Sequence, residues 1–210
     1  MAEKATAKSK RKSTLREYAE AIVIAVVLTL VVRAFVVQAF RIPTGSMQDT
    51  LLVGDFLFVN KFIYGARVPF TDVRFPEVRP PHPGDVIVFK YPLDLRRDFI
   101  KRCIAIPGQT VEIRNKVVYV DGVPLDEPYT LHTDARVFPK EISPRDNMDP
   151  IYVPQGYFFM MGDNRDNSHD SRFWGPLDAN LIKGKALILY WSWNNEKHFP
   201  RFDRLFHLVR

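Results

Sequence analysis

The sequence has few residues that could bind a metal ion or cross-link the chain. Its 210 residues include one cysteine, Cys103, so no intrachain disulfide can form. The five histidines are scattered, and no pair of histidines or cysteines has the spacing of metal ligands. A glycine-rich phosphate-binding loop is also absent. We therefore expect neither a metal nor a cofactor.

Proline is absent from the first 42 residues, and this absence divides the sequence in two. All 16 prolines and all 10 glycines come after residue 42. Such frequent punctuation indicates many turns and short strands rather than a helical bundle. We therefore expect a mainly β fold after residue 42.

The body of the chain has only a small net positive charge. The formal net charge is +6, but residues 1–40 carry seven Lys or Arg against three Asp or Glu, and residues 41–210 carry 23 against 21. A nucleic-acid-binding domain needs a basic face on its folded part. We therefore expect no nucleic-acid partner.

The first forty residues combine a basic tail with an apolar run. Six Lys or Arg lie within residues 4–16, and residues 21–32 carry no charge. Twelve residues span only about 18 Å as a helix, less than the hydrocarbon core of a bilayer. The run reaches twenty residues, at Phe40, only if Arg33 and Gln38 are included.

Three interpretations of this segment remain open. A signal anchor would place residues 1–18 in the cytosol as a basic tail, residues 19–40 in the bilayer as a transmembrane helix, and residues 41–210 outside. A cleavable signal peptide would consist of the basic n-region, the twelve-residue apolar core and the small residues Val37 and Ala39, and could be cut after Ala39. A buried soluble helix fits less well, because the segment is apolar on all sides and β-branched.

Short apolar segments bounded by turn residues predict the strands of the body. They are 51–63 with a break at Gly54-Asp55, 84–91, 99–106, 110–114, 117–120, 157–161 and 186–193. Asn115-Lys116 and Asp121-Gly122 should form tight turns. Residues 126–154 show little periodicity and are expected to leave the core as an excursion, and a weak helical turn is expected at 177–183.

Two short segments contain candidate catalytic side chains. Pro43-Thr-Gly-Ser46 is a restricted turn that presents a serine hydroxyl directly after the apolar run. In FIKRCIAIPG, Lys101 and Arg102 are neighbours in a strand and must point to opposite faces. Lys101 is then either an ordinary solvated lysine or an inward one, whose pKa burial would lower until it could act as a base.

A third segment, GDNRDNSHDSRFWGP at 162–176, is dense in charged and turn-forming residues. It is either an ordinary Asx-rich turn or a rigid loop fixed by paired charges. The side chains that could pair are Asp163, Arg165, Asp166, Asp170 and Arg172. Such pairing would leave Ser168 free to hold another group. A serine and a lysine from distant segments, with a rigid polar loop, suit an acyl-transfer dyad.

These segments, in this order, resemble those of the bacterial type I signal peptidases, the leader peptidase family of membrane-bound Ser-Lys proteases. The similar boxes are IPTGSM around Ser46, HPGDVIVFKYP (82–92), FIKRCIAIPG (99–108) and GDNRDNSHDSRFWGP (162–176). The resemblance extends from residue 15 to about 193. It implies an antiparallel-sheet catalytic domain with one N-terminal transmembrane helix, which removes signal peptides from exported preproteins.

The resemblance also implies roles for individual residues. Ser46 matches the nucleophile and Lys101 the general base, and the Thr44 hydroxyl and the Ser46 N–H match the oxyanion hole. Ser168 matches the serine that orients the lysine amine. The remaining matches are to the site-supporting polar loop (Asp163, Arg165, Asp170 and Arg172) and to the substrate pocket (Ile42, Met47 and Ile100). Neither a metal nor a cofactor is implied, and the substrates are preproteins with an Ala-x-Ala pattern before the cut.

The chain departs from the family at Asp49, because the family usually has Pro there in a Met-x-Pro-Thr-Leu run and this sequence reads MQDTL. The 126–154 segment is also short beside the largest members. The resemblance favours the anchor over the cleavable signal peptide. We therefore expect a single-pass protein of the plasma or inner membrane, with a cytosolic N terminus, an extracytoplasmic catalytic domain and the lipid bilayer as a partner.

Two other functions are possible for a chain of this kind. A self-cleaving repressor also uses a Ser-Lys dyad on a related β fold, but it would need a DNA-binding helical module where residues 1–40 offer an apolar helix. A non-catalytic membrane scaffold would tolerate the loss of Ser46 or Lys101, and both are present.

Overall fold

The computed structural model describes residues 14–67 and 74–210. The first thirteen residues of the predicted cytosolic tail therefore lie outside the described residues. The helices are α1 (Thr14–Phe35) and α2 (Ser171–Trp174). The strands are β1 (Val37–Arg41), β2 (Asp55–Asn60), β3 (Tyr64–Arg67), β4 (Arg74–Glu77), β5 (Val86–Tyr91), β6 (Asp94–Ala105), β7 (Thr110–Arg114), β8 (Val117–Val120), β9 (Val123–Pro124), β10 (Met148–Tyr152), β11 (Tyr157–Met161), β12 (Leu177–Asp178), β13 (Ile182–Asn194) and β14 (Phe199–Pro200).

The body of the described chain is an eight-stranded antiparallel sheet. Its order is β1-β2-β13-β5-β6-β11-β12, and β14 pairs with the end of β13. Strand β5 is buried on both faces, since Val86 and Val88 enter one core cluster while Ile87 and Phe89 enter another. Alternate side chains of a strand point to opposite faces, so β5 links the two cores. The prediction of a mainly β, antiparallel fold is confirmed.

A smaller sheet with the order β10-β7-β8-β9 carries the predicted hairpin. Asn115 and Lys116 at the β7–β8 turn have φ values of 49° and 70°. A two-residue turn of type I′ requires positive φ at both positions, and its twist matches that of the strands. The hairpin prediction is confirmed.

The segment 126–154 leaves the core less than predicted. Its last part is β10, which pairs with β7, and Met148 and Val153 are buried in the core cluster that contains Ile104. The register of β10 shifts between Met148 and Ile151. This irregularity breaks the period-two pattern by which a strand is recognised.

The predicted helix over residues 19–40 has the wrong bounds. Helix α1 begins at Thr14 and ends at Phe35, and residues 37–41 form β1, which pairs with β2 along its whole length. Phe40 packs against a core cluster. Valine-rich sequence suits a strand as well as a helix, so the apolar run gave no sign of this change. Among the residues that the structure describes, no helix has the length and apolar character needed to cross a membrane.

The predicted strand at 51–53 is a turn that leads into β2. Gly54 closes this turn with a φ of 92°, and a Cβ there would collide with the Trp193 carbonyl. The chain therefore needs glycine at this position. The weak helical turn predicted at 177–183 is a 3₁₀ turn, Ala179–Leu181, between β12 and β13.

Candidate active site

Lys101 lies in the interior of the eight-stranded sheet. Its strand β6 pairs with β5 on one side and β11 on the other, and Lys101 stands opposite Ile87. Lys101 is only 3% exposed and Arg102 only 2%. From the sequence, Lys101 and Arg102 point to opposite faces of the strand, so one of them was expected to face solvent. Both are buried instead, because both faces of β6 are covered.

Ser46 lies in the turn between β1 and β2, and this turn lies over Lys101. The Lys101 Nζ donates a 2.5 Å hydrogen bond to Ser46 Oγ. Met47, the next residue, is fully buried, and its carbonyl accepts from the N–H of Leu51. The turn is therefore attached to the core directly beside the serine. A hydroxyl and an amine that are 55 residues apart in sequence meet at hydrogen-bond distance.

Burial lowers the pKa of Lys101 from its ordinary value to about 8. The negative charges of Asp170 and Asp163 act in the opposite direction, and the positive charge of Arg172 adds to the lowering. With a pKa of 8, about one amine in ten is neutral at pH 7, against about one in 3,000 for an ordinary lysine. Lys101 is therefore suited to accept a proton from the adjacent hydroxyl.

Hydrogen bonds from the predicted rigid loop hold the backbone of the serine turn. The Asn164 N–H donates to the Ser46 carbonyl, and the Asn164 side-chain amide donates to the Gly45 carbonyl, both at 3.1 Å. Gly162 packs so closely here that a Cβ would overlap the Ser46 carbonyl and Ser168 Oγ. Within the described part of the chain, no hydrogen-bond acceptor is paired with the Ser46 N–H. This donor is therefore available to a bound group.

Asp163 connects the loop to β6 and to the serine turn. Its carboxylate accepts from Arg102 at 2.8 and 2.7 Å and from the Thr50 hydroxyl at 2.6 Å. Thr50 follows Ser46 in the same turn. The Arg102 guanidinium also lies 3.8 Å from the ring centroid of Tyr129. One buried ion pair thus joins three segments of the chain.

Asp170 and Arg172 form a second buried ion pair in the loop. Arg172 Nε and Nη2 each donate to Asp170 at 2.8 Å, and the Gly162 N–H donates to the same carboxylate at 3.1 Å. Burial acts to raise the pKa of Asp170, but Arg172 holds it below its usual value. Arg165 instead pairs with Glu127, at 2.8 and 2.6 Å. Of the ion pairs expected within the loop, the described residues form only Asp170–Arg172, and the other charged residues of the loop pair with partners outside it.

Ser168 does not form the hydrogen bond that the resemblance implies. Its Oγ is buried and has no hydrogen-bond partner among the described residues. The Lys101 amine is directed at Ser46 instead, and the Ser168 hydroxyl lies against Gly162.

A cavity of about 480 Å³ opens beside the serine and the lysine. Its two long walls are the turn before Ser46 and the strand before Lys101. The lining residues are Pro43, Thr44, Gly45, Ser46, Arg97, Asp98, Phe99, Ile100, Lys101, Asn167 and His169. Thr44, two residues before Ser46, is exposed in this cavity.

Of the three residues predicted for the substrate pocket, Ile42, Met47 and Ile100, only Ile100 lines this cavity. Ile42 is 2% exposed and Met47 0%, and both belong to a hydrophobic core cluster rather than to the cavity lining. Both side chains are buried in the core, and their packing attaches the turn to the sheet. In the described ranges, no three His, Cys, Asp or Glu side chains are grouped so that they could hold a metal ion.

Comparison with known proteins assigns the sequence to a family. Residues 15–191 match the family described as signal peptidase, peptidase S26. The chain belongs to this family. Signal peptidase I of Pseudomonas aeruginosa is 37% identical over 94% of this chain and 81% of that protein, and the probable signal peptidase I-1 of Synechocystis is 40% identical over 84% and 82%. A solved signal peptidase I from Enterococcus faecalis is 31% identical over 51% of this chain and 97% of its own, with a TM-score of 0.41.

Several residues at the site of this signal peptidase family member were not anticipated from the sequence. Arg102, Thr50 and Glu127 hold the loop, and Asn164 holds the serine turn. Only Arg102 had a feature in the sequence that could have drawn attention to it, its position next to Lys101. That position did not indicate that both residues are buried.

We expect Gly162→Ala to lower peptidase activity by about 10- to 100-fold. The added methyl group would overlap the Ser46 carbonyl and Ser168 Oγ, so the turn must move, and a shift of about 1 Å costs about 100-fold in rate. Initial rates of peptide cleavage and thermal unfolding of the same preparation provide the measurement.

Gly175→Ala is the matched control, because Gly175 has a φ of 82° but no atom within 4 Å of an added Cβ. With a φ of 82° and a ψ of −171°, Gly175 has a backbone conformation that is essentially restricted to glycine, so this substitution should cost about 1–3 kcal/mol of stability and leave the activity of the folded protein unchanged. Equal losses of activity in the two variants would contradict the role assigned to the contact at Gly162.

Proposed function

We propose that this chain is a membrane-bound serine endopeptidase that removes N-terminal signal peptides from exported preproteins. One observation carries the proposal: the buried amine of Lys101, with a pKa of about 8, donates a 2.5 Å hydrogen bond to Ser46 Oγ. Membership of the signal peptidase family, and relatives named signal peptidase I, support the same reaction.

In the first step Ser46 acts as the nucleophile and Lys101 as the general base. The neutral amine takes the hydroxyl proton as Oγ attacks the scissile carbonyl and forms a tetrahedral intermediate. The intermediate collapses and its C–N bond breaks. The Lys101 ammonium gives its proton to the leaving amine, which becomes the new N terminus of the mature protein. The signal peptide remains as an ester on Ser46.

In the second step the ester is hydrolysed with the same lysine. Neutral Lys101 takes a proton from a water molecule, whose oxygen attacks the ester carbonyl. The C–O bond to Ser46 breaks, and Lys101 returns the proton to Oγ. The signal peptide then leaves as a carboxylic acid, which loses its remaining proton to water.

The Ser46 N–H and the Thr44 hydroxyl form the oxyanion hole in this proposal. The N–H has no acceptor in the described chain, and Thr44 lines the cavity beside Ser46. Donors placed where negative charge develops stabilise the transition state more than the ground state.

In this proposal the substrate has short side chains before the cut, in an Ala-x-Ala pattern, and it binds in the cavity beside Ser46. An extended peptide would lie between the turn before Ser46 and the strand that carries Ile100 and Lys101. Asp163, Arg165, Asp170 and Arg172 support the site through their ion pairs.

The two other functions are less well supported. A self-cleaving repressor is less well supported, because the family match and the named relatives are signal peptidases. A non-catalytic scaffold would not need a buried lysine with a lowered pKa beside a serine, since burial of an amine destabilises a fold.

We expect Ser46→Ala and Lys101→Ala to abolish cleavage of a preprotein while the chain stays folded. Because only the neutral amine accepts the proton, the rate of the unsubstituted protein should rise about tenfold per pH unit below about pH 8 and level off above it. The measurement is kcat/KM across pH 6–10 for the full chain in detergent. Cleavage that persists in Lys101→Ala with the same pH profile would mean that another group is the base.

We expect Thr44→Val to lower kcat by about 100-fold with little change in stability, because it removes one oxyanion donor from an exposed residue. Thr44→Ser keeps the hydroxyl and should retain most of the activity. If the serine and valine variants behave alike, the hydroxyl is not an oxyanion donor.

In this proposal helix α1 and the basic tail before it are the membrane anchor, with residues 41–210 on the extracytoplasmic side. No described helix is by itself long and apolar enough to cross a membrane, so this part of the proposal rests on the sequence and on the exposed apolar side chains. The apolar side chains from Ile22 to Leu30 are exposed, and the excess of Lys and Arg precedes them, as the positive-inside rule requires of a cytosolic tail. Cleavage after Ala39 would require β1 to leave β2, since Ala39 is paired with Phe58.

We expect the chain to resist extraction from membranes by alkaline carbonate, and its mature N terminus to precede α1. Protease added outside spheroplasts should digest the catalytic domain and leave the tail protected. An N terminus at Phe40 would contradict the anchor without affecting the proposed chemistry.

A further inference from the structure

Arg97 stands on the same face of β6 as Lys101, at the far end of the cavity. The side chains of residues 97, 99 and 101 form a row: the Lys101 amine lies 5.7 Å from the ring centroid of Phe99, and the Arg97 guanidinium lies 5.3 Å from it on the same strand. All three residues line the cavity. Four residues of strand span about 13 Å, so Arg97 lies about three to five substrate residues from the reacting bond.

The guanidinium of Arg97 is positioned by aromatic rings rather than by a carboxylate. It lies 5.7 Å from the centroid of Tyr91 and 5.3 Å from that of Phe99, and these two rings stack at 4.2 Å. A guanidinium that lies over aromatic rings in this way is held by cation–π attraction and keeps N–H groups that can bind a carboxylate. No ion pair joins Arg97 to a described residue.

The neighbouring charges do not neutralise Arg97. Asp98 is already paired with Lys183 at 2.8 Å and with Lys90 at 3.4 Å. Asp94 interacts with the charge of Arg97, but its ion pair, at 2.9 Å, is with Arg96, and neither Asp94 nor Arg96 lines the cavity. The charge left over at this end of the cavity is therefore positive.

We infer that Arg97 is a specificity-determining residue that favours substrates with an acidic side chain about three to five residues from the scissile bond. The inference rests on the proposed function. The carboxylate would accept hydrogen bonds from the edge of a guanidinium that the rings already hold in place. An exposed pair of this kind changes affinity by about two- to fivefold and is screened by salt.

The test uses the full chain in detergent and a series of Ala-x-Ala peptides. Each peptide carries Glu, Gln or Lys at one of the third to fifth positions on either side of the cut, and kcat/KM is measured for each. At one position or an adjacent pair, Glu should be preferred over Gln by about two- to fivefold, through KM. This preference should shrink in 0.5 M salt. It should disappear in Arg97→Gln, and Lys should become the preferred residue in Arg97→Glu.

Arg96→Glu is the matched control, since it changes the charge equally on the adjacent residue outside the cavity. It should leave the preference intact. The inference is overturned if the unsubstituted protein shows no preference, if Arg96→Glu acts like Arg97→Glu, or if Arg97→Glu slows all peptides equally. Failure to cleave even the Gln peptides would instead count against the proposed function.

Discussion

A buried lysine amine with a lowered pKa, inside a folded sheet, is the constraint on which the site depends. Two carboxylates near Lys101, Asp163 and Asp170, would raise its pKa if they acted alone. Each is bound instead by a guanidinium, from Arg102 and Arg172 respectively. The surroundings therefore carry little net charge, and burial decides the pKa. Buried ion pairs have a large desolvation penalty, so this arrangement must be stabilised by the packing around it.

The contacts that bring the hydroxyl to the amine join segments that are far apart in the chain. Ser46 and Lys101 are separated by 55 residues, Arg102 and Asp163 by 61, and Thr50 and Asp163 by 113. Such contacts close long loops, and the entropy lost on closing them is offset only by the contacts of the formed sheet. The site therefore forms together with the whole domain, and a change in the loop acts on the serine through the backbone of its turn.

The features that were predictable from the sequence depend on local chemistry. The hairpin at Asn115-Lys116 follows from turn preferences, and Ser46 and Lys101 could be selected because each lies in a short, unusual segment. The features that were missed depend on distant partners. Arg102 can be buried because it pairs with Asp163, which is 61 residues further along the chain. The chain changes from α1 to β1 because β1 forms hydrogen bonds with β2. No periodicity within a window of ten residues contains this information.

The turn that presents Ser46 is fixed from outside rather than by its own stiffness. Asp49 has a φ of 87°, and a proline ring, held near −65°, cannot adopt that angle. A relative with proline at this position must therefore pass through the turn with a different backbone angle. Positive φ is unfavourable for aspartate too, though less than for most residues, so the local preference opposes this conformation. The burial of Met47 and the hydrogen bonds from Asn164 overcome it, and they set the distance between the hydroxyl and the amine.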